Sequence, residues 1–155
     1  MGSLLRGWQR HCWADWRLAV EALWWLSLVR MTLWILPIRY VVRWMGLIQG
    51  GTEGTGSKVY QPGEKATRIG WAVHAASART PWRNTCLIQA LAGAHMLSRR
   101  SLPAVLYLGA AHDRSHGDKL EAHAWLSCGD AILIGQGDKD RFTVVATFIN
   151  KWLLL

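Results

Sequence analysis

Acidic residues, cysteine and phenylalanine are all scarce in this chain. Ten Asp and Glu stand against eighteen Lys and Arg, leaving +8 over 155 residues and a pI near 10.0. That deficit invites an anionic partner (nucleic acid, a membrane face or an acidic peptide) and does not choose among them. The three cysteines, Cys12, Cys86 and Cys128, are odd in number and form no C-x-x-C pair. They argue against a disulfide framework and for reduced thiols in a cytoplasmic setting. No apolar core with a small-residue cleavage site follows Met1, so a secretory signal is not expected. The longest charge-free window of the N-terminal segment, residues 22–29, falls short of the ~18–20 apolar residues of a membrane span. The basic residues are scattered and match no nucleic-acid-binding module, so no nucleic-acid partner is expected.

Tryptophan is what the chain has in excess: eleven, seven of them within residues 8–44. This segment reads as helical. Arg6, Arg10, Arg17 and Glu21 recur on one face of an early helix; residues 22–29 and 31–36 are apolar all round, interrupted by Arg30. Pro37 marks a kink or a stop, and a short helix over 38–48 carries Arg39 and Arg43. Such a segment packs on its own domain or a partner, and its Trp and Arg also suit a headgroup layer. Residues 49–57, rich in Gly, Thr and Ser, read as a linker. They resemble a phosphate loop, but Gly-Lys-Ser/Thr is missing and the run follows a helix. Residues 65–79 form a helix with Ile69, Val73 and Ala76 inward and Arg68, His74 and Arg79 outward. A second helix starts at Cys86 and stops at Ser98-Arg99-Arg100-Ser101. Strands follow over 104–110, 120–127, 131–135 and 142–148. Helices first and an antiparallel sheet afterwards make the class α+β. The division is a helical lead-in over 1–48, a linker over 49–64 and a core over 65–155.

Cys86 is the focal residue. Thr80, Asn84 and Thr85 each qualify as N-cap, and Pro81 suits a first helical turn. A thiol there meets the positive end of the helix dipole and unpaired N–H groups, both of which favour a thiolate. Strand alternation puts Glu121, His123, Trp125 and Ser127 on one face, a face that a helix could cover. If Gly129-Asp130 is a two-residue turn, Cys128 pairs with Ala131 and His123 falls opposite Gln136, about 5 Å away at Cβ. The Gln136 amide would then hold the imidazole in one tautomer. Thiol, imidazole and an orienting group make a cysteine-nucleophile triad. A structural role competes for each member, since buried cysteine and strand histidine are most often packing. A metal site from His112, His116 and Cys128 is disfavoured because the loop offers no second ordered ligand pair. No metal and no cofactor are expected.

Cys86-Leu87-x-x-Ala90-Leu91, then Leu97-Ser98-Arg99-Arg100-x-Leu102-Pro103-Ala104, then Ala122-His123-Ala124-Trp125 resembles the leader peptidases of lasso-peptide biosynthesis. These are transglutaminase-like, papain-related cysteine proteases. The stretch Arg17-x4-Glu21-Ala22-x3-Leu26-x3-Arg30 through Leu36-Pro37 is similar to the family's helical lead-in, so the likeness runs from about residue 15 to 148. It implies a nucleophile-bearing helix packed on the sheet, with Cys86 as nucleophile and His123 as general base and acid. It also implies cleavage of a ribosomally made precursor peptide between leader and core. The partners implied are a separate leader-binding protein and an ATP-dependent cyclase that uses the freed core amine. Three features depart from the family pattern. The acidic residue one strand beyond the histidine is replaced by Gly135 or, one residue slipped, Gln136, with Asp138, two further on, as the alternative third member of the triad. The Gly after Arg-Arg is Ser101, and the Asp-Gly turn is reversed to Gly129-Asp130. The competing function is a catalytically inactive, basic, Trp-rich adaptor docking on a membrane surface or biosynthetic partner through residues 8–44.

Overall fold

The computed structural model describes residues 13–50, 61–137 and 139–153. Helix α1 (Trp13–Ile35) ends ahead of Pro37, whose ring cannot continue the hydrogen-bond ladder, and α2 (Ile38–Trp44) restarts directly after it. The helix expected over 38–48 stops short. Gly46, at φ +73°, turns the chain, and Leu47–Gly50 becomes strand β1. Helices α3 (Glu64–Arg79) and α4 (Cys86–Arg99) fall where the apolar periodicity placed them. Strands β2 (Val105–Asp113), β3 (Lys119–Cys128), β4 (Ala131–Ile134) and β5 (Thr143–Asn150) follow. One antiparallel sheet results, in the order β1-β5-β2-β3-β4, and the class is α+β.

Helix α4 lies at the centre. Ala90, Leu91, Ala92, Ala94, Met96 and Leu97 are all fully buried, because α1 and α3 cover it on one side and the sheet on the other. Its small residues permit that approach: a Cβ on Gly93 would sit 2.6 Å from Ile134 Cδ1 and 2.8 Å from Leu126 Cδ2. Ala22, Leu26 and Val29 of α1 enter the same core. Two carboxylates fix α1 in place through ion pairs. Asp15 takes the Arg68 guanidinium (Nε–Oδ1 2.7 Å), and Glu21 takes Arg100 at 2.6 Å, with Arg99 at 3.7 Å. Arg68, expected to face solvent or a partner, is thus used internally.

At 23 residues, α1 is long and apolar enough to cross a membrane, a longer apolar helix than its charge-free windows suggested, because Glu21 and Arg30 interrupt it only singly. Only its inner stripe is committed to the core.

Strand β3 alternates as expected, but the covered face is the other one. Ala124, Leu126 and Cys128 meet the helices. His123 and Trp125 lie opposite, where Trp125 stacks on Tyr107 at 5.5 Å. The strand neighbour of His123 on β2 is Gly109, where a Cβ would come within 2.8 Å of both the Trp125 ring and Phe142.

Candidate active site

The segment ahead of α4 is tied down by side-chain bonds. Thr80, which closes α3, donates from Oγ1 to the carbonyls of Ser77 and Trp82 at 2.9 and 3.0 Å. Asn84 accepts from the Trp82 indole at 3.0 Å and donates to Thr80 Oγ1 at 2.8 Å. Gln89 donates to the Asn84 carbonyl at 3.2 Å, and Arg30 reaches across from α1 to the Arg83 carbonyl at 3.0 Å. Of the three N-cap candidates Thr85 is the cap, its Oγ1 accepting from Ile88 N–H. Pro81 belongs to this loop and not to a first helical turn. Cys86 is therefore the first residue of α4, half-buried, on an anchored backbone.

What meets the thiol is the edge of β3, exposed by a change in β4. The turn at Gly129-Asp130 forms and Cys128 pairs with Ala131, but Leu133 is an extra residue: Ser127 faces Ile132 while Leu126 faces Ile134. The bulge serves both helices. Leu133 lies against Gly70 of α3, and Ile134 against Gly93 of α4. Gly135, at φ +78°, then takes β4 off the sheet. Its position admits only glycine, since a Cβ would stand 2.4 Å from the Ala124 carbonyl oxygen. Pairing has ended by then, and the freed Ala124 N–H donates to Cys86 Sγ at 3.4 Å.

The same departure decides what orients the imidazole. His123 Nε2 lies 3.0 Å from the Gly135 carbonyl oxygen. A carbonyl only accepts, so Nε2 carries the proton and Nδ1 is left as the basic nitrogen. The ring is flanked by Phe142 at 5.1 Å and Trp125 at 5.9 Å. The cross-strand position expected for Gln136 does not arise. The bulge shifts the register by one, and the Gln136 side chain is exposed. Asp138 lies outside the described residues. Glu121, on the His123 face, pairs with Arg141 at 3.4 Å.

The other sulfur and histidines stand apart. Cys128 is completely buried, and burial pushes its thiol up to about 11. His112 is exposed beside Asp118 at 3.4 Å. Among the described residues no three His, Cys, Asp or Glu side chains converge as a metal-ligand set. The sequence marks Arg30 and Asn84 only as a helix interruption and a cap candidate, and it does not disclose the parts that they, Gly109 and Gly135 play at this site. Of these, only Gly135 carried a signal, as a glycine at the place of the family's acidic residue.

Residues 32–147 match the family model described as Transglutaminase-like superfamily, three quarters of the chain and both Cys86 and His123. No curated protein matches the chain. No solved structure matches it either.

Proposed function

From a chain that belongs to the transglutaminase-like superfamily, a group with cysteine proteases and acyltransferases among its members, we propose a peptidase acting on a ribosomally made precursor. It removes the leader of a lasso-type peptide. The observation that carries this reading is the Ala124 N–H bond to Cys86 Sγ, which brings the helix-start thiol to β3 one residue from His123. The His123 ring is held by Gly135 and makes no hydrogen bond to the sulfur in this structure.

Cys86 Sγ, as thiolate, attacks the carbonyl carbon of the last leader residue. An S–C bond forms and negative charge develops on the carbonyl oxygen. The N–H groups of Cys86 and Leu87, which the helix does not pair internally, would meet such charge, whereas Ile88 N–H is taken by the Thr85 cap. The C–N bond then breaks, and His123 delivers a proton to the leaving amine, which becomes the core's N-terminus. Water, deprotonated by the neutral imidazole, hydrolyses the thioester and restores the thiol. The freed amine is what a separate ATP-dependent cyclase requires. A leader-binding partner supplies the precursor at an effective concentration typically in the mM range, so the isolated chain cleaves slowly and the partner accelerates it.

Cleavage of the precursor by Cys86→Ala and His123→Ala, followed by mass spectrometry, tests the assignment. Both variants should lose at least about a thousandfold in rate while keeping the parent melting curve. Cys128→Ser should remain active, and full activity of Cys86→Ala would sink the reading. An inactive adaptor is distinguished by alkylation. Iodoacetamide should modify Cys86 in the native protein and reach Cys128 only after unfolding.

A further inference from the structure

We propose that the outer stripe of α1, continued by α2, is a docking surface for an anionic lipid bilayer, on which α1 lies flat. The buried positions Ala19, Ala22, Leu26 and Val29 occupy one side of the helix. On the opposite side Trp13, Trp16, Val20, Trp24, Met31 and Trp34 recur every three, four or seven residues. Trp13, Trp24 and Trp34 are 86, 65 and 89% exposed. The stripe runs for about 33 Å at the helical rise. An apolar surface of that extent is not left bare on a monomeric soluble protein.

Charge decides the occupant. Arg17, Arg39 and Arg43 of the two helices are exposed, while Arg30 is turned to the Arg83 carbonyl and Trp82. Of the carboxylates of the same helices, Asp15 is buried against Arg68, and Glu21, at the rim of the outer stripe, is neutralised by Arg99 with Arg100. Among the described residues of α1 and α2, the outer side therefore carries free-standing cations, while its one carboxylate, Glu21, has an arginine on it. A cleft of about 650 Å³ there is lined by Trp13, Trp16 and Trp24, with Arg17, Arg99 and the arginine-paired Glu21 beside them. Indole and guanidinium side by side match the headgroup layer, where the ring straddles the apolar boundary and the cation meets phosphate. The tryptophans are also spread along the whole helix, whereas a protein interface concentrates its anchors near one centre. A span is opposed by the inner stripe: withdrawing it would strip the core and separate Asp15 and Glu21 from their arginines.

Sedimentation of the full-length chain with vesicles tests this, and as a binding readout it is independent of cleavage. The chain should pellet with phosphatidylcholine vesicles containing phosphatidylglycerol, with a blue shift of tryptophan emission, and hardly with phosphatidylcholine alone. Raising salt from about 0.1 to about 1 M, which shortens screening from ~10 to ~3 Å, should weaken binding several-fold. Replacing Trp13, Trp24 and Trp34 together by serine should weaken it at least about tenfold with little change in melting temperature. Replacing the exposed apolar residues Leu120 and Val145 of the sheet by serine should leave it unchanged. Equal binding of the triple variant and the parent would overturn the proposal, as would no preference for anionic vesicles. So would the absence of vesicle binding, with self-association that the triple variant abolishes.

Discussion

Gly135 concentrates three demands in one residue: a left-handed φ, a backbone pressed against β3, and a carbonyl that holds His123. Alanine there meets a strained conformation of about 1–2 kcal/mol and a contact too short to keep. Gly135→Ala should therefore lower the melting temperature by about 4–8 °C. It should also cut turnover more than tenfold, because the imidazole loses its tether. Gln136→Ala, next door but exposed, should change turnover by less than about twofold and stability within ~0.5 kcal/mol. Precursor cleavage and thermal melts of both variants check this. A Gln136→Ala enzyme slowed tenfold would return the orienting role to that amide. Asp138→Asn, measured alongside, asks the same of the remaining carboxylate. A carbonyl in place of a carboxylate brings a dipole but no full negative charge to the imidazolium that forms in catalysis.

Between elements, polar bonds fix α1 where small-residue packing alone would let it slide. The Arg100 hydrogen bond holds the Glu21 carboxyl below its ordinary value of 4.5, with Arg99 and Arg100 charge adding to it. A carboxyl depressed on folding stabilises the protein above its unfolded value and loses that contribution as pH falls through the folded one. Glu21→Gln should accordingly cost roughly 1–2 kcal/mol at neutral pH, as for a charged hydrogen bond that is partly solvated. The gap in melting temperature between variant and parent should close as pH drops below about 4.5. A gap constant with pH would refute the assignment. His95, on the same side of α4, is pressed between Trp25 at 4.0 Å and Trp44 at 6.2 Å. Burial pushes its imidazole down, so this contact opposes protonation and works in the same acid-labile direction.

For the whole molecule, the lead-in is part of the core and of the sheet. Leu26 and Val29 are fully buried, β1 pairs with the end of β5, and Arg30 braces the loop before Cys86. Deleting residues 1–46 should abolish cooperative unfolding. Each buried large side chain of α1 is worth about 2–5 kcal/mol, against a typical total of 5–15. Circular dichroism with a thermal melt checks this. A cooperative melt in the shortened chain would make residues 65–155 a self-sufficient core. A docking site on α1 is therefore better mapped by exposed tryptophan substitutions than by truncation.

The sequence by itself determined the helices at 64–79 and 86–99, the four strands after them and the Gly129-Asp130 turn, because each rests on local periodicity or local turn chemistry. It also singled out Cys86 and His123, whose neighbours carry the family resemblance. Tertiary structure alone decided the rest. Four residues of strand at Leu47–Gly50 have no periodicity of their own and exist because the free edge of β5 accepts them. The face of β3 that is covered was settled by where α4 fits, against Leu126 and Ile134 across Gly93. The register beyond Leu126 was settled by Leu133, an extra residue that gives α3 its contact and moves Gln136 away from the imidazole. A period-two pattern reads the same with or without such a bulge, so the partner of His123 was written in the packing of two helices on one strand.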